Sequence, residues 1–232
     1  MTAETGQTET AEPTALRLIL TLGLAGILSG VSLVMAYELT LPMITANKAA
    51  ALKRAVFKVV PGSDRVQKIV RQADGTWKGV PESDTSEGIY AAYDSNNAFK
   101  GFAIANEGPG FQDVIRLLFG YDPKRERIIG MEVLESRETP GLGDKIFKDA
   151  AFVANFHDLA VHSESGGPIV AQPHGKKTAA HEVDAITGAT ISSRAVVRII
   201  NAANDRWLKV MPPPEQVPAF QGTAEPSQAK GE

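Results

Sequence analysis

From Leu18 to Tyr37 the chain runs twenty residues without a charged side chain, rich in Leu, Ile, Val, Gly and Ala. An α-helix rises about 1.5 Å per residue, so about twenty apolar residues span a hydrocarbon core of about 30 Å. A signal peptide has a shorter apolar core and a small-x-small cleavage site, whereas this run is long and closes on Ala36-Tyr37-Glu38. A helix buried in a soluble protein is rarely apolar on every side. The run therefore predicts a retained transmembrane anchor over residues 15–43. Gly23, Gly26, Ser29, Gly30 and Ser32 would let neighbouring helices approach closely. Arg17 flanks one end, while Lys48, Lys53, Arg54 and Lys58 follow the other, a charge balance that weakly favours a cytoplasmic C-terminal portion.

With 232 residues the chain has room for that anchor and one further domain. A net charge of −3, with no basic stripe interleaved with aromatics, gives no case for a nucleic-acid partner. There is no cysteine. Disulfides, thiolate catalysis, cysteine-ligated iron–sulfur clusters and haem attached through Cys-x-x-Cys-His are thereby excluded, so redox chemistry would need a bound organic cofactor.

Residues 1–14 are polar and read as a disordered tail. Residues 44–86 read as a juxtamembrane helix and a connecting segment. Within them Asn47 to Val60 is amphipathic through Leu52, Val56 and Val59 and is stopped by Pro61-Gly62, and Arg65 to Arg71 is a candidate strand. Residues 87–210 read as the main domain. Ile89 to Tyr93 and Phe99 to Ala105 form one predicted hairpin around Asp94-Ser95-Asn96-Asn97. Val114 to Tyr121 and Arg127 to Glu135 form a second around Asp122-Pro123-Lys124, with Ile129, Met131 and Val133 expected on one face. Helical segments are expected within Asp144 to Asn155 and a short strand near Ile169. Residues 211–232 are rich in Pro, Gln, Ala and Glu and read as a second disordered tail. Hairpin-paired strands flanked by helices predict an α+β domain behind a single N-terminal membrane helix.

Two segments carry chemistry. Thr187-Gly188-Ala189-Thr190 stands before a helix whose Val196, Ile199, Ile200, Ala203 and Trp207 make one apolar stripe. Arg194, Arg198, Asn201, Asp205 and Arg206 take the other side, and Pro212-Pro213-Pro214 ends it. A helix N-terminus offers unpaired N–H groups and a partial positive charge, which suit a phosphate. On spacing alone, a threonine here is an N-cap. Earlier in the chain, Glu138-Thr139-Pro140-Gly141-Leu142-Gly143 leaves a strand end with the residues of a turn.

Together the segments from Asp184 to Ser193 and from Glu138 to Ile146 resemble the flavinylation site and the Glu-Thr-Pro-Gly-Leu-Gly loop of the FMN-binding domain in the G subunit of Rnf electron-transport complexes. A related site occurs in the C subunit of the sodium-pumping NADH:quinone reductase. A histidine often found two residues before the loop's glutamate is here Ser136. The resemblance implies FMN attached covalently, through its phosphate, to Thr190 by a separate flavin transferase. Gly188 and Ala189 would leave space for that enzyme and for the ribityl phosphate, Thr187 would donate to the phosphate, and Asp184 would shape the turn or be read by the transferase. Thr139, Gly141, Leu142 and Gly143 would line the flavin ring, with Glu138 orienting their loop. The resemblance further implies an electron-transfer component of a ferredoxin:NAD oxidoreductase coupled to Na⁺ or H⁺ translocation. Its partners would be other membrane subunits, a second flavinylated one among them. It would sit in a bacterial inner membrane with the flavin domain on the extracytoplasmic side. Alternatives are the C subunit of the sodium-translocating quinone reductase, or a membrane-tethered binding or assembly domain without a cofactor.

Other features read as bland. His174, His181 and Glu182 lack compact ligand spacing and suggest an exposed loop. Gly108-Pro109-Gly110 has neither a Walker motif nor a dinucleotide fingerprint around it. Trp77 and Trp207 are expected to pack.

Overall fold

The computed structural model describes residues 14–162 and 164–221. The chain divides into two compact units, residues 1–48 and 49–232. The first contains most of helix α1 (Ala15–Val59), whose apolar side chains from Leu16 to Met43 are exposed. Among the described residues α1 is the one helix long and apolar enough to cross a membrane, with a mean hydropathy of 2.2 in its most apolar stretch. The expected anchor and the separate juxtamembrane helix are one continuous helix in this structure. Pro42 lies inside it and removes a single donor without ending it. The helix does stop at Val59, before Pro61 and a left-handed Gly62 (φ 77°).

The second unit is α+β. Its sheet contains β1 (Arg65–Arg71), β2 (Trp77–Val80), β3 (Ile89–Tyr93), β4 (Phe99–Pro109), β5 (Val114–Asp122), β6 (Arg127–Glu135) and β7 (Leu159–Ala160). They lie in the order β2-β1-β3-β4-β5-β6-β7, and every neighbouring pair is antiparallel. Both predicted hairpins are present as β3–β4 and β5–β6. The sheet also begins upstream of residue 87, because β1 and β2 pair with it directly. Short helices α2 (Lys145–Lys148) and α3 (Ala150–Ala154) follow, then a two-stranded parallel ribbon of β8 (Val170–Gln172) and β9 (Glu182–Asp184), and finally α4 (Thr190–Trp207).

Alternation along the strands gives the sheet two unlike faces. Ile89, Ala91 and Tyr93 of β3, Phe102 and Ile104 of β4, and Ile115, Leu117 and Phe119 of β5 join the cluster under α4. Ala92, Ala103 and Leu118 point the other way, into a cluster with Val56, Val59 and Val60. The expected stripe of Ile129, Met131 and Val133 is broken. The register shifts between Gly120 and Tyr121, leaving Ile129 unpaired as a bulge. Ile128, Met131 and Val133 therefore face α4, while Ile129 packs on the α1 side.

Of the predicted tails, residues 1–13 and 222–232 lie outside the described residues. Residues 211–221 are ordered against the domain, contrary to the expectation for 211–232. Pro218 O accepts from Tyr93 Oη (2.6 Å), Gln221 N donates to Gln67 Oε1 (3.1 Å), and the Phe220 ring lies 5.5 Å from that of Tyr93. Aromatic contacts there outweigh a composition that suggested disorder. Trp77 and Trp207 pack with ring centroids 6.1 Å apart.

Candidate functional site

Between β9 and α4 the chain makes one tight turn. Ala189 N donates to Ile186 O (3.0 Å), and Gly188 takes a left-handed φ of 81° that favours glycine. Thr187 and Gly188 are exposed, and Ala189 is buried. Thr190 proves to be the first residue of α4 and not its N-cap. The cap position belongs to Ala189, which has no side chain to offer. Ser193 instead ties the preceding turn to the helix, accepting from Ile186 N (3.1 Å) and donating to Ala189 O (2.9 Å). Among the described residues the Thr190 hydroxyl has no hydrogen-bond partner, and neither do the N–H groups of Thr190, Ile191 and Ser192. A half-buried hydroxyl thus stands beside bare donors at the positive end of an 18-residue helix.

The second motif comes to the same place. Leu142, 51% exposed, has its Cδ2 4.0 Å from where a Cβ on Gly188 would stand. Its loop is held from inside. Gly141 (φ 78°) donates to Asp144 Oδ1 (2.8 Å), and Lys148 Nζ lies 2.6 Å from Asp144 Oδ2. Lys148 and the Gly141 N–H keep the Asp144 carboxyl below its ordinary pKa against the opposing effect of burial. Thr139 Oγ1 donates to Gln112 Oε1 (2.8 Å), and Gly143 is buried.

Glu138 is 5% exposed and faces inward. Its Oε1 accepts from Phe111 N (2.9 Å) and Gln112 N (3.0 Å), and its Oε2 from Ser192 Oγ (2.5 Å). Burial raises its pKa, but the Ser192 hydroxyl and the backbone donors outweigh that and hold the carboxyl below its ordinary value. The carboxylate is satisfied by protein, so Glu138 supports the site and presents no group to it.

All nine residues singled out in the two motifs therefore lie in two adjoining segments, with Thr187, Gly188 and Thr190 on the surface and Glu138 and Gly143 beneath. The sequence reading missed the third segment. Phe111 and Gln112 follow the dismissed Gly108-Pro109-Gly110, yet they bond Glu138, and Phe111 is 65% exposed. Arg198 Nη2 also reaches Pro109 O (2.6 Å). Ser192 was overlooked too. Ser192 and Ser193 lie one turn ahead of Val196, on the apolar stripe, and hydroxyls there announce buried partners.

A cleft of about 800 Å³ opens beside Thr187, lined by Lys145, Phe152, Asn155, His174, Lys177 and Asp184 among others. Asp184 accepts from Gly175 N (2.6 Å) and faces His174 (3.3 Å), so its side chain is engaged with the 174–175 turn and not with the turn at Thr187-Gly188. Glu182 caps the 178–179 turn through Thr178 N (2.7 Å) and Ala179 N (3.0 Å) and accepts from Gln172 (2.6 Å), which brings its pKa down to about 2.

Residues 110–205 match the family described as FMN-binding domain. The G subunit of the ion-translocating oxidoreductase complex of Haemophilus influenzae (strain PittEE) is 31% identical over 167 residues, covering 69% of this chain and 74% of that one. The protein of the same name from Shewanella piezotolerans is 28% identical over 192 residues, covering 79% and 85%. The crystal structure of the C subunit of Na⁺-translocating NADH-quinone reductase from Parabacteroides distasonis superposes with a TM-score of 0.56 at 18% identity, over 72% of this chain and 94% of that one. At that identity the likeness establishes the fold alone.

Proposed function

The chain belongs to the G-subunit family of ion-translocating oxidoreductase complexes, and from that premise we propose that Thr190 carries FMN through a phosphoester. It is a membrane-anchored electron-transfer subunit built on an FMN-binding domain. The residues fit the cofactor. The Thr190 hydroxyl and the first N–H groups of α4 are unengaged, and Leu142, Phe111 and Ile191 offer exposed apolar surface near them. That unengaged hydroxyl on the first residue of α4 is the observation on which the reading rests.

FMN, when bound, supplies the electron chemistry. The chain's residues retain and seat it. A bond from Thr190 Oγ1 to phosphorus prevents dissociation, and the bare N–H groups of α4 stabilise the phosphate charge. Thr187, exposed and unengaged, donates to a phosphate oxygen. Leu142 packs against the ring, and Thr139, Gly141 and Gly143 shape the loop beside it. A threonine hydroxyl is a weak nucleophile without a base, and among the described residues no carboxylate or imidazole hydrogen-bonds to Thr190. Attachment therefore falls to a separate flavin transferase acting on a flavin nucleotide whose phosphate is held in an anhydride. The Thr190 O–P bond forms as the anhydride P–O bond breaks, the other phosphate-bearing half leaves, and the hydroxyl proton passes to a base of the transferase. Other membrane subunits, one of them also flavinylated, exchange electrons with this one in a ferredoxin:NAD oxidoreductase coupled to Na⁺ or H⁺ movement. The flavin domain lies on the extracytoplasmic side, a placement that a C-terminal reporter fusion tests.

Mass spectrometry of the chain matured with a flavin transferase tests the central bond. The expected result is one FMN phosphoester on the peptide containing Thr190. A polypeptide with the mass of its amino acids alone would remove the electron-carrier reading and leave an anchored domain without a cofactor.

A further inference from the structure

We infer that Glu138 and Ser192 form a positioning pair that fixes the Thr190 end of α4 against the 110–112 and 138–144 loops, and so sets how a tethered flavin lies. The inference rests on the reading of Thr190 above and goes further, since neither side chain would touch the flavin.

One carboxylate joins three segments far apart in sequence. Oε1 takes the N–H groups of Phe111 and Gln112, at 2.9 and 3.0 Å. Oε2 takes the Ser192 hydroxyl at 2.5 Å. Ser192 is 2% exposed and lies two residues after Thr190. Glycines close the space around the pair. A Cβ on Gly143 would stand 2.8 Å from Glu138 Cβ and 2.9 Å from Ser192 Oγ, and one on Gly110 would stand 2.7 Å from Asp113 O and 2.8 Å from Ile115 Cδ1. No larger residue enters either loop without moving the clamp.

Stability alone is a poor reason for this arrangement. Burying an ionised carboxylate costs free energy that an apolar side chain of similar volume avoids, and such groups are better at fixing one geometry than at adding stability. The geometry fixed here is that of the surface directly outside the pair. Phe111 donates to the carboxylate, Leu142 precedes Gly143, and Ile191 lies between Thr190 and Ser192. All three are exposed apolar residues. The pair therefore sets the spacing between the tether and the apolar surface available to a ring on that tether.

The test uses the full-length protein, coexpressed with a flavin transferase and purified in detergent. Two quantities are read: flavin per polypeptide after denaturation, and iodide quenching and fluorescence anisotropy of the attached flavin in the folded state. Ser192→Ala and Glu138→Ala should keep the flavin attached yet raise the quenching constant about twofold or more. Partners in one hydrogen-bond network couple, so the double variant should do no more than Glu138→Ala. Glu138→Gln should restore the parent signal, because its amide offers an oxygen to the two N–H groups and an NH₂ to Ser192. Gly120→Ala, on the opposite face of the sheet, should lower stability without moving the flavin signal. Unchanged quenching in Ser192→Ala and Glu138→Ala, additive effects, or an equal shift in Gly120→Ala would each overturn the inference. Where Glu138→Ala does not accumulate, Ser192→Ala against Glu138→Gln decides. An unmutated protein that takes up no flavin overturns the Thr190 reading first and this inference with it.

Discussion

The two faces of the seven-stranded sheet are built on opposite plans. The face under α4 carries Ile89, Tyr93, Phe102, Ile104, Ile115, Leu117 and Phe119, and α4 answers with Val196, Ile199 and Ile200. Side chains also tie that helix to strand ends: Asn106 Nδ2 donates to Ile199 O (2.8 Å), and Arg198 reaches Pro109 O (2.6 Å). The opposite face presents Ala92, Ala103, Gly101, Gly120 and Gly130, and there the last residues of α1 come down to backbone contact. A Cβ on Gly120 would stand 2.7 Å from the Val59 carbonyl carbon, and one on Gly130 2.7 Å from Val59 O. Gly120 and Gly130 are direct cross-strand partners, so they form a single saddle. Large side chains hold α4 by volume and hydrogen bonds, which keeps its N-terminus in register with two loops. Small residues hold the end of α1 by close approach, which seats a backbone.

The sharpest test of this division is Thr190→Ala. It should abolish covalent flavin completely, read as fluorescence on a denaturing gel. Stability should stay level or rise by a few tenths of a kcal/mol, up to about 0.7 kcal/mol, since alanine is the better helix former and the hydroxyl makes no bond to lose. A marked fall in stability would mean that the hydroxyl is structural after all.

Core substitutions come next. Ile200→Ala, on the fully buried face of α4, should cost about 2–5 kcal/mol by lost burial and a residual cavity. It should also lower flavin attachment, because α4 presents Thr190 to the transferase. Gly120→Ala should cost about 1–3 kcal/mol through overpacking, with flavin per folded molecule unchanged. Denaturant titration in detergent with parallel gel fluorescence separates the two. If both variants lose flavin in proportion to stability, the faces are not independent.

Much of this was legible in the sequence wherever periodicity and turn chemistry agree. The α4 stripe is buried residue for residue, and both hairpins close where Asp94 and Asp122 accept backbone N–H groups. The two motifs meet, as a shared site requires. What escaped depends on contacts that no local pattern encodes. The Ile129 bulge resets an alternation that looked regular. Thr190 looks like a cap in one dimension, whereas in the fold it is the first helical residue and Ala189 takes the cap position. The 110–112 loop joins the site through Glu138 and through Gln112, which accepts from Thr139. The small residues of the α1 face read as ordinary Ala and Gly, since the carbonyl they receive comes from a helix about sixty residues earlier. The C-terminal segment has a disordered composition up to Phe220, whose ring finds Tyr93 only in the folded chain.

A smaller effect concerns the ribbon that delivers the chain to Thr187. Glu182 has a carboxyl pKa of about 2 against an ordinary 4.5, because the folded protein supplies it with N–H donors. A depressed folded pKa means that the contribution is present in full above about 4.5 and drains away as pH falls toward about 2. Glu182→Gln should therefore flatten the acid limb of the stability curve in that window. It should shift neutral stability modestly downward, since Gln keeps an acceptor but loses charge-assisted bonds. A parent and variant with parallel curves between pH 4.5 and 2 would show that the Glu182 carboxylate does not contribute to folded stability.

The smallest predicted change asks where the α4 face ends. Tyr93 lies in its cluster, and burial raises the phenol pKa to about 12, so the hydroxyl remains a donor at any ordinary pH. Its bond to Pro218 O is one direct polar link to the C-terminal segment, beside that from Gln221 N to Gln67 Oε1. Tyr93→Phe removes the hydroxyl and keeps the ring packed on Phe220, so the loss should be about 0.5–1.5 kcal/mol, with proteolysis of the segment only slightly faster. Phe220→Ala removes the ring contact and keeps the hydroxyl. If Tyr93→Phe is the milder of the two, the segment is held chiefly by aromatic packing and belongs to the same volume-filling plan as α4. If Tyr93→Phe releases the segment as fully as Phe220→Ala does, the Tyr93 hydrogen bond governs it, and the contrast between the two faces stops short of residue 211.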